Sequence, residues 1–266
     1  MIITTLIENL VYQRGLVAEH GLSFYIETDN KHILFDTGQG ENFIYNAKRL
    51  GIDISSIDYL VISHGHYDHI GGLPYFMDIN TKAKILLKEE ACFPKYKKDE
   101  FIGLDTIDYL INERFEFINS EYQLTENLWV MPHVENYFPI DNHKQGFTIK
   151  KDEEIVADNF DDELFLAFAN NKKLTVISSC SHNGISNIAK TADKHFSLPV
   201  KAIIGGFHLK NSKDEELNHL IEYFNKQETE RLGICHCTGI ENYLVLKQHS
   251  SADTFYNYTG NKITIT

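Results

Sequence analysis

Residues 61–72 read Val61-Ile62-Ser63-His64-Gly65-His66-Tyr67-Asp68-His69-Ile70-Gly71-Gly72. The apolar run at residues 59–62 predicts a buried strand, which ends in a glycine-containing turn. Imidazole and carboxylate are ligands that zinc, iron and manganese accept. His64 and His66 are two residues apart, so in extended backbone they project to the same side and can hold one ion. Asp68 and His69 follow the turn and can reach a second ion. The alternative is a solvated polar loop, which the preceding buried strand disfavours.

Three further histidines in the second half each come at the C-terminal end of a predicted strand: His182, His208 and His236. Each is followed by a glycine or polar turn and then by a predicted helix. Because the ends of neighbouring strands meet at one edge of a sheet, we expect these side chains to converge. A single histidine in this setting is more often an ordinary surface residue, but three favour a site. The other seven are expected to be structural or exposed: His20, His32, His133, His143, His195, His219 and His249.

The His-x-His-x-Asp-His motif, with the Ile-Gly-Gly-Leu that follows it, resembles the signature of the metallo-β-lactamase-fold hydrolase superfamily. Further segments resemble its other motifs: Phe35-Asp36-Thr37-Gly38, Ser179-Cys180-Ser181-His182-Asn183-Gly184-Ile185, Ile204-Gly205-Gly206-Phe207-His208-Leu209 and Cys235-His236-Cys237-Thr238-Gly239. The residues of these motifs are similar to those of one branch, whose members are metal-dependent hydrolases or dihydropterin–ribofuranosylaminobenzene phosphate synthases. The likeness spans most of the chain and is weakest at residues 90–160.

The resemblance implies an α/β fold, a four-layer αββα sandwich of two mixed β-sheets flanked by helices. It also implies a single metallo-β-lactamase-like domain over residues 1–266, with a variable insertion around residues 90–160. The length suits one large domain or two small ones, and the hydrophobic content of 42% is ample for a core. Within the insertion, residues 95–100 are charged and expected to be exposed, and residues 144–162 are expected to form a loop or hairpin.

The resemblance assigns two sets of metal ligands: His64, His66 and His182 for a first ion, and Asp68, His69 and His236 for a second. The superfamily usually has an aspartate that bridges the ions, at the end of a strand between His182 and His236. Here that strand ends in Gly-Gly-Phe-His, so His208 stands near the expected acid. His208 is interpreted either as a metal ligand or as a substrate-facing acid or hydrogen-bond donor.

Asp36 ends its own predicted strand. Ligating histidines commonly donate their free ring N–H to a carboxylate, and the resemblance gives Asp36 this supporting or structural part. A simple turn-forming aspartate is the alternative. Strand alternation predicts that Cys235 and Cys237 point away from the face that His236 occupies. Cys180 is the better candidate for a thiol near the site, with a small buried residue as its alternative.

The ligands predict the chemistry. A divalent ion lowers the pKa of a bound water to about 7, which produces hydroxide at neutral pH, and two ions roughly 3.5–4 Å apart can hold that hydroxide and polarise a carbonyl or phosphoryl oxygen. Asp68 is placed to orient the nucleophile and take its proton, so Asp68 and His208 are the catalytic candidates. We therefore expect one or two zinc ions, with iron or manganese as alternatives. The predicted activity is hydrolysis of an ester, lactone, amide or phosphoester of a small molecule.

Two other function classes compete with hydrolysis. The branch resemblance alone supports a transferase, in which the same metals assist condensation of a pterin diphosphate with a ribofuranosylaminobenzene phosphate. A non-hydrolytic di-iron protein would normally replace some of the histidines with carboxylates and carry an attached flavin domain. A purely structural metal site is disfavoured, because such sites are usually closed by cysteine-rich tetrahedral sets.

The formal net charge of −13 argues against nucleic acid or an anionic membrane as a partner, because both need a basic face. The opening apolar residues are too few for a signal peptide, and no run reaches the length of a membrane helix. Three of the four cysteines lie beside candidate ligands, which suits a reducing compartment better than a disulfide framework. The sequence thus predicts a cytoplasmic protein with a small-molecule substrate.

Overall fold

Residues 1–105 and 107–266 are described by a computed structural model, in which the chain forms two units. The first unit comprises Met1–Ser120, Lys144–Leu164 and Tyr258–Thr266, and the second comprises Glu121–His143 and Phe165–Asn257.

The described residues form the strands β1 (Ile2–Ile7), β2 (Ser23–Thr28), β3 (Lys31–Phe35), β4 (Tyr59–Val61), β5 (Lys84–Leu87), β6 (Lys95–Lys97), β7 (Glu100–Phe101), β8 (Phe115–Phe117), β9 (Tyr122–Gln123), β10 (Leu128–Met131), β11 (Phe147–Lys151), β12 (Glu154–Ala157), β13 (Phe165–Asn170), β14 (Lys173–Ser178), β15 (Val200–Gly206), β16 (Arg231–Cys235), β17 (Asp253–Tyr256) and β18 (Lys262–Thr264). The helices are α1 (Asn42–Leu50), α2 (Tyr67–Ile70), α3 (Leu73–Ile79), α4 (Ile107–Leu110), α5 (Ile185–Phe196), α6 (Asp214–Lys226) and α7 (Ile240–His249). Short 3₁₀ helices span Ile54–Ser56, Glu89–Cys92 and His236–Thr238.

The first unit contains a mixed sheet with the strand order β18-β1-β2-β3-β4-β5-β8. Strands β18 to β3 pair antiparallel, and β3, β4, β5 and β8 pair parallel. The apolar face of α1 packs into the core of this unit through Phe43 and Ala47. Helix α1 stops at Gly51, whose φ of 75° lies in the left-handed region that glycine adopts easily. In the interior of the sheet, β4 is paired on both sides, so the histidine loop starts from a fixed strand.

The second unit contains a mixed sheet with the order β17-β16-β15-β14-β13-β10-β9. Strands β14, β15, β16 and β17 are parallel, whereas β13, β10 and β9 continue the sheet antiparallel. Helices α5, α6 and α7 contribute apolar residues to the core of this unit. Because β14, β15 and β16 are adjacent and parallel, their carboxyl ends share one edge of the sheet.

A smaller antiparallel sheet, β12-β11-β6-β7, belongs to the first unit. The hairpin of β11 and β12 confirms the hairpin expected within residues 144–162. The expectation that residues 95–100 are exposed is wrong for Lys95, whose side chain is 1% exposed. Its ammonium lies 2.9 Å from Asp158 Oδ2 and 3.0 Å from Asp162 Oδ2, and two carboxylates make burial of a lysine tolerable.

Two mixed sheets with helices confirm the α/β class and the mixed sheets predicted from the sequence. Within residues 1–105 and 107–266, no helix combines the length and the hydrophobicity needed to cross a bilayer.

Candidate metal centre

The predicted histidine loop of the first unit lies between β4 and α2. His64 and His66 precede α2, and Asp68 and His69 lie in it. All four side chains are buried. The His64 ring centre lies 4.6 Å from that of His66 and 4.3 Å from that of His69. The structure thus brings three imidazoles of one short segment together, with the Asp68 carboxylate 3.7 Å from His69 Nε2.

The Asp36 carboxylate lies at the end of β3 and contacts this cluster. Its Oδ2 is 2.8 Å from His69 Nδ1 and accepts a 2.7 Å hydrogen bond from Ser63 Oγ, while Oδ1 accepts one from Ser63 N at 2.7 Å. Ser63 Oγ also lies 2.8 Å from His64 Nδ1. One carboxylate therefore fixes the His69 ring directly and the His64 ring through Ser63. The φ of Asp36 is 61°, a left-handed conformation that aspartate tolerates better than most residues.

The protonation states of the two buried imidazoles are driven in opposite directions. Burial, reinforced by the neighbouring His69 and His66, holds the pKa of His64 well below its ordinary value. Burial alone would lower the pKa of His69 too, but the Asp68 and Asp36 carboxylates outweigh it and raise that pKa. His64 is thereby kept neutral, and neutral imidazole is the form that binds a metal ion.

Residues of the segment Lys144–Leu164, which belongs to the first unit, also contact the histidine loop. Gly65 N donates a 2.8 Å hydrogen bond to Asp162 Oδ2, the same oxygen that Lys95 contacts. The His66 ring stacks on Phe147 at 5.3 Å with an interplanar angle of 24° and meets Phe160 edge-on at 5.4 Å. A Cβ at Gly65 would collide with the Ala91 carbonyl, so the sequence needs glycine here.

His20, expected to be structural or exposed, contacts the candidate ligand Asp68. Its Nε2 lies 3.2 Å from Asp68 Oδ2, although the side chain is 53% exposed. No strand or motif precedes His20 in the sequence, so no local signal pointed to this contact.

In the second unit, the three predicted histidines follow the parallel strands β14, β15 and β16. The rings of His182 and His208 lie 4.1 Å apart. Two thiols lie close to these rings: Cys180 Sγ is 3.3 Å from His208 Nδ1 and 3.1 Å from Cys237 Sγ. Ligand atoms of Cys180, His182 and His208 lie within 4.8 Å of one another, as do those of Cys180, His236 and Cys237.

The expectation that Cys237 points away from His236 is wrong, because the strand ends one residue before that histidine. β16 stops at Cys235, and His236 begins a 3₁₀ turn with φ of 54°. Strand alternation therefore no longer applies, and the Cys237 thiol lies beside the His236 imidazole. His208 also has a left-handed φ, 52°. Sparsely populated backbone conformations of this kind are found most often at functional sites.

His143, another histidine expected to be structural or exposed, lies next to the second cluster. Its ring centre is 5.6 Å from that of His208, and its Nε2 lies 3.2 Å from Asp141 Oδ1. The segment around His143 gave no recognisable pattern, so the sequence did not predict this contact.

A sequence profile of the metallo-beta-lactamase superfamily matches residues 16–164, which include the whole cluster of the first unit. The chain belongs to the metallo-β-lactamase superfamily.

Three proteins are similar to this chain over most of its length. A 7,8-dihydropterin-6-methyl-4-(beta-D-ribofuranosyl)-aminobenzene-5'-phosphate synthase of Methanocaldococcus jannaschii is 32% identical, over 86% of this chain and 84% of that protein. An uncharacterized protein of the same organism is 33% identical, over 92% and 94% of the two chains. The solved structure of Tm1679, a metal-dependent hydrolase of the beta-lactamase superfamily, is 31% identical with a TM-score of 0.90 and covers 100% of this chain and 99% of that one.

Membership of this superfamily implies bound metal ions, and the residues present fit them. The two clusters offer imidazole, carboxylate and thiol groups, which are the donors of zinc and of other transition metals. His69 is hydrogen-bonded at Nδ1 by a buried carboxylate, the arrangement that sets the tautomer of a ligating histidine.

Replacing Asp36 with alanine is expected to weaken metal binding about 10–100-fold, as loss of a carboxylate that orients a ligand does. Loss of its hydrogen bonds to Ser63 and His69 should also lower the free energy of unfolding by about 1–3 kcal/mol for each group left buried without an acceptor. The control is Asp29→Ala, because Asp29 is exposed and has a similar φ of 48°. Competition with a chelator and urea unfolding measure the two effects. Equal metal affinity in both variants would contradict the role of Asp36.

Proposed function

We propose that this protein is a metal-dependent hydrolase that cleaves an ester, lactone, amide or phosphoester of a small molecule with two divalent cations, zinc ions, bound. The observation that carries the proposal is the buried cluster after β4, in which Asp36 fixes His69 and, through Ser63, His64. Membership of the superfamily supports it, as does the 31% identity to a metal-dependent hydrolase over the whole chain.

The proposed ligands are taken from the superfamily pattern, residue by residue: His64, His66 and His182 for the first ion, and Asp68, His69 and His236 for the second. A divalent ion held by these ligands would lower the pKa of a bound water to about 7 and polarise the substrate oxygen. Burial favours the neutral, metal-binding form of His64, whereas the Asp68 and Asp36 carboxylates raise the pKa of His69 and favour its protonated form in the absence of an ion.

Asp68 is proposed to orient the attacking water and to accept its proton at a carboxylate oxygen. His20 Nε2, 3.2 Å from Asp68 Oδ2, holds that carboxylate in place. We assign His208 to contact with the substrate, since its side chain is only partly buried while His182 beside it is fully buried. A histidine can donate a proton to a leaving group or a hydrogen bond to a substrate oxygen.

Hydrolysis is tested with a panel of lactones, thioesters and phosphodiesters offered to the zinc-loaded protein and to the same protein after chelator treatment. We expect cleavage of at least one class, loss of that cleavage after chelation and its return when zinc is restored. Metal analysis of the purified protein accompanies the panel, with two zinc ions per chain expected. Cleavage that survives complete removal of metal would contradict the proposal.

A transferase is the second candidate, and a specific observation favours it: the 32% identity to the dihydropterin–ribofuranosylaminobenzene phosphate synthase over 86% of this chain. The same ligands would then assist condensation of a pterin diphosphate with a ribofuranosylaminobenzene phosphate. Incubating the metal-loaded protein with these two compounds and measuring released diphosphate tests this reaction. Condensation without hydrolysis of any panel compound would replace the hydrolase proposal with the transferase.

A further inference from the structure

The donor atoms of the second unit include two thiols in addition to the histidines. Cys180 Sγ and Cys237 Sγ lie 3.1 Å apart, and the backbone N–H of His208 donates to Cys237 Sγ at 3.2 Å. Strand β15, which lies between the strands that precede His182 and His236, ends at Gly206. A side chain at Gly206 would meet Cys237 Sγ at 2.7 Å. The sulfur of Cys237 therefore fills the space that a side chain at Gly206 would occupy.

Cys180 Sγ takes part in both groups of donors in this unit. It lies within 4.8 Å of ligand atoms of His182 and His208, and also within 4.8 Å of those of His236 and Cys237. Under the proposed function, His182 and His236 bind different ions. The sulfur of Cys180 thus lies near a ligand of each ion, in a side chain that is only 3% exposed.

The chemistry of the donors decides which of them can serve two ions. A neutral imidazole has one available lone pair and binds one metal ion, so His182, His208 and His236 are poor bridges between two ions. A thiolate sulfur has several lone pairs and is a strong ligand for zinc and for other thiophilic metals. Cys180 is accordingly the donor of this cluster that has both the position and the chemistry of a bridge.

We propose that the Cys180 thiolate is a metal ligand shared by the two ions. The inference rests on the proposed function, because it requires ions at His182 and at His236. On binding, the Cys180 S–H bond is broken, a sulfur–metal bond forms and the proton is released to solvent. The centre is then selective for thiophilic divalent cations such as zinc, cobalt or cadmium and discriminates against magnesium and calcium.

The test is titration of the metal-free protein with cobalt(II), followed by absorption spectroscopy and metal analysis. A thiolate ligand gives cobalt an intense sulfur-to-metal charge-transfer band in the near ultraviolet, which imidazole and carboxylate do not. We expect two cobalt ions per chain and a band that grows over both equivalents. Cys180→Ser should lose both the band and the second equivalent of cobalt, whereas Cys237→Ser and the buried control Cys235→Ala should keep both. Cys180→Asp should restore the second equivalent without the band, because a carboxylate can also bridge.

The other outcomes distinguish a failure of the Cys180 inference from a failure of the proposed function. Two bound cobalt ions without a charge-transfer band in the unaltered protein would overturn the role of Cys180 and leave the metal centre standing. A band that disappears in Cys237→Ser but persists in Cys180→Ser would also overturn it. Failure of the unaltered protein to bind cobalt or zinc at all would instead overturn the proposed function, and the inference with it.

Discussion

Replacing His66 with alanine is expected to weaken metal binding at the proposed first site strongly and to lower the catalytic activity with it. His66 is buried, its ring lies 4.6 Å from that of His64, and Phe147 and Phe160 hold it in place. Removing a ligand should weaken metal binding by more than the roughly 10–100-fold that loss of a supporting hydrogen bond costs. Turnover should fall by at least about 10²–10³, the range typical of losing one stabilising group at the reacting atoms.

Metal content per chain and the rate on the best panel substrate measure the two losses. The control is His249→Ala, since His249 is an exposed histidine in the last turn of α7. Circular dichroism of both variants checks that the fold persists. Full metal content and full activity in His66→Ala would rule out the proposed ligand role.

Replacing Lys95 with methionine is expected to lower the free energy of unfolding by about 3–5 kcal/mol, the cost of removing one partner of a buried ion pair. The Lys95 ammonium is buried between Asp158 and Asp162. Burial alone would lower the pKa of Lys95, but these two carboxylates outweigh burial and raise it, so the lysine is charged at neutral pH. Without it, two carboxylates stay buried with no cation beside them.

The Lys95→Met substitution should also disturb the histidine loop after β4. Asp162 accepts the hydrogen bond from Gly65 N, between the two histidines of the loop, so an Asp162 that moves toward water releases this backbone. We therefore expect Lys95→Met to bind metal more weakly in addition to unfolding earlier. Urea unfolding and chelator competition measure both quantities.

Lys84→Met is the matched control for Lys95→Met. Lys84 pairs with Glu116 at 3.0 Å, but both side chains are exposed, and an exposed pair contributes only about 0–1 kcal/mol. Equal stabilities of the two variants would contradict the structural role of the Lys95 pair.

Local patterns in the sequence predicted much of the fold. An apolar run before polar loop residues is enough to identify β4. Helix α5 follows the histidine at residue 182, as the βαβ pattern indicates. These features depend on residues within a few positions of one another, so they can be recognised from the sequence alone.

Contacts between distant segments could not be predicted in this way. Burial of Lys95 depends on Asp158, 63 residues later, and a lysine in a charged stretch ordinarily lies in water. The contact of His20 with Asp68 likewise joins a loop residue to helix α2, and no sequence pattern connects the two. The direction of the Cys237 side chain was mispredicted because of a single residue. His236 has a positive φ, so the alternation of side chains along a strand does not continue through it.

The most direct measurement is a crystal structure of the zinc-loaded protein, with anomalous diffraction data collected at the zinc absorption edge. The proposed centre predicts one anomalous peak within about 2.0–2.1 Å of ring nitrogens of His64, His66 and His182 together. No peak at these three histidines, with zinc held only by residues outside both proposed ligand sets, would contradict the account.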